Sequence, residues 1–412
     1  MSNDKKATIS FDNTEYAFAY KSDAALKKAR FLFSVMGNRV LLNLGLLLLP
    51  IAIKLRLPFI KAIIRSTLFK QFVGGETLAQ TTAVSDNLNK YNVKIILDYG
   101  VEGGEGEHAF DKAANTFIEV INYASSQRNI PFISIKVTGI SRFGLLEKLD
   151  AFMRSVESID LSQRYRLAIE KLTNKEQAEL HLIEKRLLRI CEEAKEKNVG
   201  VLIDAEESWI QEPVDAMTSM MMETFNQQAC IVYNTIQLYR HDRFAFLQSI
   251  HASSVQNNYL LGVKLVRGAY MEKERARAKE LGYASPIQAN KEASDQDYNA
   301  AVKYCIENIS NIAVVIATHN EKSNLYSMDM MDQFSLSYNH PHIHFSQLYG
   351  MSDNITFNLA KSGCVVSKYL PFGPIKEVVP YLMRRAQENS SVAGQTGREL
   401  GLIKKELKRR NS

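Results

Sequence analysis

Lys264 and Arg267 stand at the end of an alternating apolar run, Leu261 to Val266, which reads as a buried strand that breaks at Gly268. Two cations at the end of a buried strand are costly unless anionic partners wait there. Other apolar runs end on polar residues in the same way: Lys136, Asp204, Gln237, Thr318 with His319, Gln347 and Tyr369. Any one of these has a bland explanation as a solvated turn. Seven polar strand ends on one side make that explanation jointly poor and point to side chains converging on a ligand. Near the C-terminus, Tyr381, Arg384, Arg385 and Glu388 fall at i, i+3, i+4 and i+7 and share one helical face. Neighbouring guanidinium groups repel unless an anion bridges them, so the pair suits a carboxylate or phosphate; the plainer alternative is a solvated basic face with Glu388 paired to Arg384 or Arg385.

The elements that must position these groups begin at about residue 90. Eight β-branched runs of strand length, Val93 to Asp98, Phe132 to Thr138, Val199 to Asp204, Ile231 to Gln237, Leu261 to Val266, Ala313 to Thr318, Ile343 to Gln347 and Cys364 to Tyr369, alternate with charged stretches of helical period. Eight βα units predict a (β/α)8 TIM-type barrel, because an open doubly wound sheet has no reason to stop at that number. In a barrel the C-terminal strand ends ring one mouth. The spacing divides the chain into an N-terminal helical arm (1–90), a barrel (91–395) with an inserted helical hairpin at about 145–198, and a basic C-terminal tail (396–412). Pro380 either kinks a longer helix or begins a fresh one.

Several chemistries are excluded or weakly supported. Cys191, Cys230, Cys305 and Cys364 have no paired spacing, which argues against a disulfide framework or a cysteine zinc site and for a reducing, cytoplasmic location. His340, His342 and His344 alternate, but no carboxylate or cysteine lies close by in sequence, so no metal is expected. There is no Gly-x-Ser-x-Gly elbow for a hydrolase, and Gly103-Gly104-Glu105-Gly106 lacks the context of a dinucleotide fingerprint. Despite a net charge of +6, no aromatic-interleaved basic stripe points to nucleic acid. The polar opening Met1 to Lys6 does not read as a secretory signal. Val40 to Ile53 is apolar but too short to span a bilayer, which takes about 20 residues. Lys54 to Phe72 then mixes five cations with apolar residues, a pattern suited either to an arm packed on the main domain or to docking on a membrane surface.

The segments Lys264-Leu265-Val266-Arg267-Gly268-Ala269-Tyr270, Asp204-Ala205-Glu206, Ala317-Thr318-His319-Asn320 and Tyr381 to Ser391 together resemble the FAD-dependent proline dehydrogenase family. The resemblance covers most of the chain, including Gln347 to Met351 and Lys368 to Pro374, and is nearer the mitochondrial-type branch than the large bifunctional bacterial enzymes. It implies oxidation of L-proline to Δ1-pyrroline-5-carboxylate, with hydride passing from C5 to flavin N5. It assigns the substrate carboxylate to Lys136, Arg384 and Arg385, has Asp204 pair with an arginine of that clamp and favour the developing iminium charge, and packs Tyr369 on the proline ring. Ala205, Gln237, Arg267, Gly268, Ala269, Thr318 and His319 are the implied FAD contacts. Lys264 departs from an arginine common in the family near N5; it keeps the charge without the planar fork. The family passes electrons to a membrane quinone, so the protein is expected to sit peripherally on the inner face of the cytoplasmic membrane, with a separate pyrroline-5-carboxylate dehydrogenase as a partner in the degradation of proline to glutamate. Tyr369 favours unsubstituted proline, since a 4-hydroxyl would crowd it, which leaves hydroxyproline dehydrogenase as the alternative. A barrel aldolase or lyase with Lys264 or Lys136 as Schiff base is the other.

Overall fold

Each of the eight β-branched runs forms a strand in the computed structural model, which describes residues 9–38, 60–100, 104–158, 160–391 and 395–412. β1 (Lys94–Tyr99), β2 (Phe132–Ile135), β3 (Gly200–Ile203), β4 (Val232–Gln237), β5 (Leu261–Val266), β6 (Ile312–Ala317), β7 (Ile343–Leu348) and β8 (Val366–Phe372) are parallel and close in order, with β8 against β1. β2 is shorter than the sequence suggests because Val137–Gly139 turns into a 3-10 helix, which leaves Lys136 at the rim. β8 runs longer, through Pro371, whose carbonyl accepts the Gly74 N–H at 2.8 Å.

A small apolar group, Ile96, Phe132, Leu202, Tyr233, Ala313 and Val315, fills the barrel interior. Phe132 meets Tyr233 and His344 edge-on at 5.4 and 5.0 Å between centroids. Gly262 makes room there, since a Cβ at that position would lie 2.3 Å from the Val232 carbonyl oxygen. The larger core lies between the outside of the barrel and its helices. Among these is Asn174–Lys197, opened by a Thr173–Glu176 capping box and closed by Asn198 in the left-handed region. It packs on Glu107–Ser125 and so serves as the crossover between β2 and β3. The expected inserted hairpin is thus three helices, Phe143–Arg154, Leu161–Ile169 and Asn174–Lys197, of which only the first two are extra. Arg154 reaches from them to the Ser208 carbonyl beyond β3 at 2.6 Å.

A second core binds the two ends of the chain to the barrel. Leu26, Ala29, Phe33 and Met36 recur at helical spacing along Asp23–Met36 and are buried with Phe69, Phe72, Ile375, Val378, Leu382, Leu402, Ile403 and Leu407. Residues 396–412, expected as a basic tail, form the helix Gln395–Asn411 instead. Its apolar stripe of Leu402, Ile403 and Leu407 goes inward, while Glu406 is held by Arg409 and Arg410. At the end of the arm, Gln71 Nε2 donates to the Gly350 carbonyl at 2.7 Å. The approach needs a glycine, because at φ +80° a Cβ would lie 2.1 Å from the Gln71 carbonyl oxygen. The apolar run Val40 to Ile53 and the first part of the basic amphipathic stretch, Lys54 to Phe59, lie outside the described residues. Among the described residues, no helix is long and apolar enough to cross a membrane.

Candidate active site

Four charged side chains from four strand ends meet at the C-terminal mouth. Asp204, one residue past β3, accepts from Lys264 Nζ of β5 and from Ser134 Oγ of β2 (2.6 Å) on Oδ1, and from the Tyr369 hydroxyl of β8 (2.8 Å) on Oδ2. Lys136 stands 3.9 Å from Asp204 Oδ2 and 4.0 Å from Asp98 Oδ1 at the end of β1. The Lys264 ammonium also lies 5.4 Å from the centre of the Tyr369 ring. Burial opposes ionisation throughout, and neighbouring charges decide the outcome. Burial pushes the Asp98 carboxyl above its usual range, with Lys136 opposing and Asp204 adding to the rise. Burial would also raise Asp204, but Lys264 and Lys136 outweigh it and hold that carboxyl low. Burial would lower the Lys136 ammonium, which Asp98 and Asp204 instead hold well above the usual lysine range.

The sequence suggested an arginine of the clamp as the partner of Asp204; Lys264 is in direct contact with it and Lys136 lies at 3.9 Å. Arg384 lines a narrow cavity with Asp98, Lys136, Tyr381, Tyr99 and Phe117. Arg385 is buried beside the Tyr381 ring, 5.0 Å away, and its charge is felt at His319. Tyr381 thus adjoins both arginines, one turn before them on the helix Ile375–Ser391. The side chain of Glu388, the proposed partner in the alternative, lies outside the described residues.

Three members of the site were missed. Asp98 ends β1 under the same rule that selected the other strands, so its signal was present. Glu206 is buried, accepts both carboxylate hydrogen bonds from Thr138 (2.8 and 3.0 Å), and has its pKa pushed up to about 7 by burial, against Lys136 and with help from Glu207. Tyr270, next to the helix Met271–Leu281, senses Glu206, Lys136 and Arg384. Spacing alone does not place these last two at the mouth.

The residues expected to hold a cofactor lie along the rim from β3 to β7. Gln237 donates to the Glu206 carbonyl at 2.9 Å, while its Oε1 is buried without a hydrogen-bond partner; Ala205 lies in the same connection after β3. Arg267 donates to Asp295 (2.7 Å), Thr318 (2.7 Å) and Ser323 (2.9 Å), its guanidinium 4.3 Å from the centre of the Tyr298 ring. Gly268, at φ +137°, has no room for a side chain, since a Cβ would lie 2.3 Å from the Tyr239 ring; Ala269 after it is exposed. Gln347 donates to the Thr318 carbonyl at 3.2 Å and accepts from Thr356 at 2.8 Å. His319 Nδ1 lies 2.8 Å from Ser352 Oγ, and burial with Lys368, Arg385 and Arg267 lowers its pKa to about 3, so the ring is neutral. The alternating histidines diverge: His344 bonds Ser367 inside the barrel, whereas His342 donates to the Ile309 carbonyl. A buried Oε1 that lacks a donor, a glycine cradle and a fixed guanidinium together fit a large ligand rich in phosphate and amide groups.

The model of the family described as proline dehydrogenase matches residues 81–398. Proline dehydrogenase 2, mitochondrial, of Arabidopsis thaliana is 34% identical over 84% of this chain and 79% of its own. Hydroxyproline dehydrogenase of Xenopus laevis is 31% identical over 84% and 78%. Among solved structures, proline utilization A of Bdellovibrio bacteriovorus superposes with a TM-score of 0.68 at 20% identity. That likeness is one of fold; it covers 93% of this chain, which spans 37% of that larger protein.

Proposed function

This chain belongs to the proline dehydrogenase family, and from that premise we propose that it oxidises L-proline to Δ1-pyrroline-5-carboxylate with FAD, passing the electrons to a membrane quinone. The observation that carries the reading is Lys136, an ammonium beyond hydrogen-bond distance from both nearby carboxylates, on a cavity shared with Arg384. A strongly retained charge that makes no hydrogen bond among the described residues suits a substrate carboxylate. Lys136 and Arg384 would grip it, with Arg385 continuing the positive wall toward His319. Each charge-assisted hydrogen bond contributes about 1.5 to 3 kcal/mol. Holding one end of the substrate fixes the other, so the chain's main contribution is orientation. Asp204, kept ionised by Lys264 and Lys136, would favour positive charge developing on the ring nitrogen. Tyr369, fixed by its bond to Asp204, would form the wall against the ring.

Gln237, Arg267, Thr318, His319 and the backbone at Ala205, Gly268 and Ala269 would hold FAD, which when bound supplies the hydride acceptor. Lys264 would place a positive charge near it. The barrel, residues 91–395, would carry the chemistry and the terminal helices would frame it. The basic stretch Lys54 to Lys70, in which Ile63 is exposed, would dock on the cytoplasmic face of a membrane. Unchanged liposome co-sedimentation after deletion of the arm would remove that part. A separate dehydrogenase would consume the product.

Tyr369 supports proline over 4-hydroxyproline, because its hydroxyl is already committed at 2.8 Å to Asp204. The deciding experiment is an anaerobic visible spectrum of the purified protein with L-proline and with trans-4-hydroxy-L-proline. Flavin bands that bleach with proline and scarcely with hydroxyproline are expected. A protein that stays colourless and inert after FAD is added would overturn the flavoenzyme reading and favour a Schiff-base lyase.

A further inference from the structure

We infer that Glu399 of the C-terminal helix is a positioning residue for the cofactor, acting through Ser352 to orient His319. The inference rests on the FAD reading above. His319 stands just past β6, half-buried, with Nδ1 2.8 Å from Ser352 Oγ and Nε2 in a long contact, 3.4 Å, with the Leu348 N–H. A ring nitrogen that accepts from a backbone N–H carries no proton, so the proton sits on Nδ1 and is donated to Ser352. That bond fixes the tautomer and turns Nε2 to the rim between β6 and β7, free to exchange its weak contact for a ligand.

Ser352 is itself held in an unusual state. Its backbone is left-handed, φ 49° and ψ 44°, a conformation that residues with side chains rarely adopt. Its N–H donates to Glu399 Oε1, from a helix 47 residues further along the chain. Glu399 is buried and set beside Asp353, which is bound by Lys21 and Lys368 at 2.9 Å each and by the Tyr20 hydroxyl at 2.8 Å. Both ends of the chain therefore meet at Ser352 and its neighbour Asp353, the C-terminal helix on the first and the N-terminal arm on the second. Remove the Glu399 acceptor and the Ser352 N–H is stranded, the left-handed turn is no longer held, and the hydroxyl on Nδ1 moves.

The test titrates FAD into the full-length chain stripped of flavin, for the parent and for E399A, S352A, the double variant, E399Q and I403A. Ile403 is buried in the second core one helical turn beyond Glu399 and carries no polar group, so I403A removes packing at the same face without removing an acceptor. E399A and S352A are each expected to raise the FAD Kd about tenfold, the loss typical when the partner that orients a ligating histidine is removed. Together they should cost no more than either alone. E399Q keeps an acceptor oxygen and should stay within about twofold of the parent, and I403A should lower the melting temperature with Kd unchanged. If S352A binds FAD like the parent, or if the two losses add, or if I403A matches E399A, the relay is wrong; S352A decides the matter even where E399A does not fold. A parent that binds no FAD at all would overturn the relay and the flavoenzyme reading together, whereas tight binding by the parent and by both variants overturns the relay alone.

Discussion

Two clusters of two carboxylates and two lysines lie in this protein, and they differ in how completely they satisfy themselves. At the junction of the chain ends, Asp353 is bound at 2.9 Å by Lys21 and by Lys368, and Lys368, fully buried, also donates to the Met351 carbonyl; Glu399 accepts from Ser352. At the barrel mouth, Lys264 closes on Asp204, but Lys136 stays 3.9 and 4.0 Å from its two carboxylates and keeps contact with a cavity. A buried ion pair gains most when every donor and acceptor is filled. The junction comes closer to that condition, with only Asp353 Oδ1 buried beside Lys368 without a hydrogen bond, whereas at the mouth, among the described residues, Lys136 makes no hydrogen bond, as the proposed substrate site requires. Charge and burial alone do not separate the two roles; the distances do.

The largest break in the comparison is expected from Lys368→Met, which removes the cation beside the buried Asp353 Oδ1, leaves Lys21 and Tyr20 on Oδ2 alone, and should lower unfolding free energy by about 3 to 5 kcal/mol in urea titration. A loss below about 1 kcal/mol would make the junction no more structural than the mouth. Next is Glu206→Gln beside the mouth. A carboxyl whose pKa rises from 4.5 to about 7 on folding binds its proton more tightly in the native state, so stability falls as pH climbs through that window. The variant should therefore match the parent at pH 4 and exceed it at pH 8 by at most about 3 kcal/mol, read from melting curves at the two values. A constant difference across pH would mean that Glu206 does not titrate there.

Lys136→Met should reduce kcat/KM for L-proline by about 10- to 100-fold, with KM raised and the melting temperature little changed. Asp98 can take up a proton when the cation goes, because its carboxyl already lies above the usual range. A large fall in stability with modest kinetic change would assign Lys136 to the structural class. The smallest effect is expected from Tyr369→Phe, which removes one hydrogen bond to Asp204, worth about 1 kcal/mol, and so costs about fivefold in kcat/KM. Turnover of trans-4-hydroxy-L-proline relative to proline should rise; an unchanged ratio would take substrate choice away from Tyr369.

Much of the fold was legible because its signal is local. Apolar, β-branched runs of strand length marked all eight strands, and polar residues at their ends marked Lys136, Asp204, Gln237, Lys264, Thr318 and Tyr369 before any contact was known. Asp98 was legible too, by the same rule, and was overlooked. The fate of the C-terminal segment was obscured by its charge: six cations between Arg398 and Arg410 read as a solvated tail, while three apolar residues at helical spacing were enough to bury one face. The surroundings of Arg384 and Arg385 were not legible, since they depend on how one helix is rotated against the barrel.

By itself, the sequence determined the barrel, the order of its strands and which side chains stand at their ends, because those follow from backbone periodicity within a few residues. Only the tertiary structure decided which charges neutralise one another. Tyr20 and Asp353 are 333 residues apart, and Ser352 and Glu399 are 47 apart. Whether a buried lysine closes on its partners, as Lys368 does, or stands off from its carboxylates, as Lys136 does, depends on distances of an ångström between such remote groups, which no local pattern encodes.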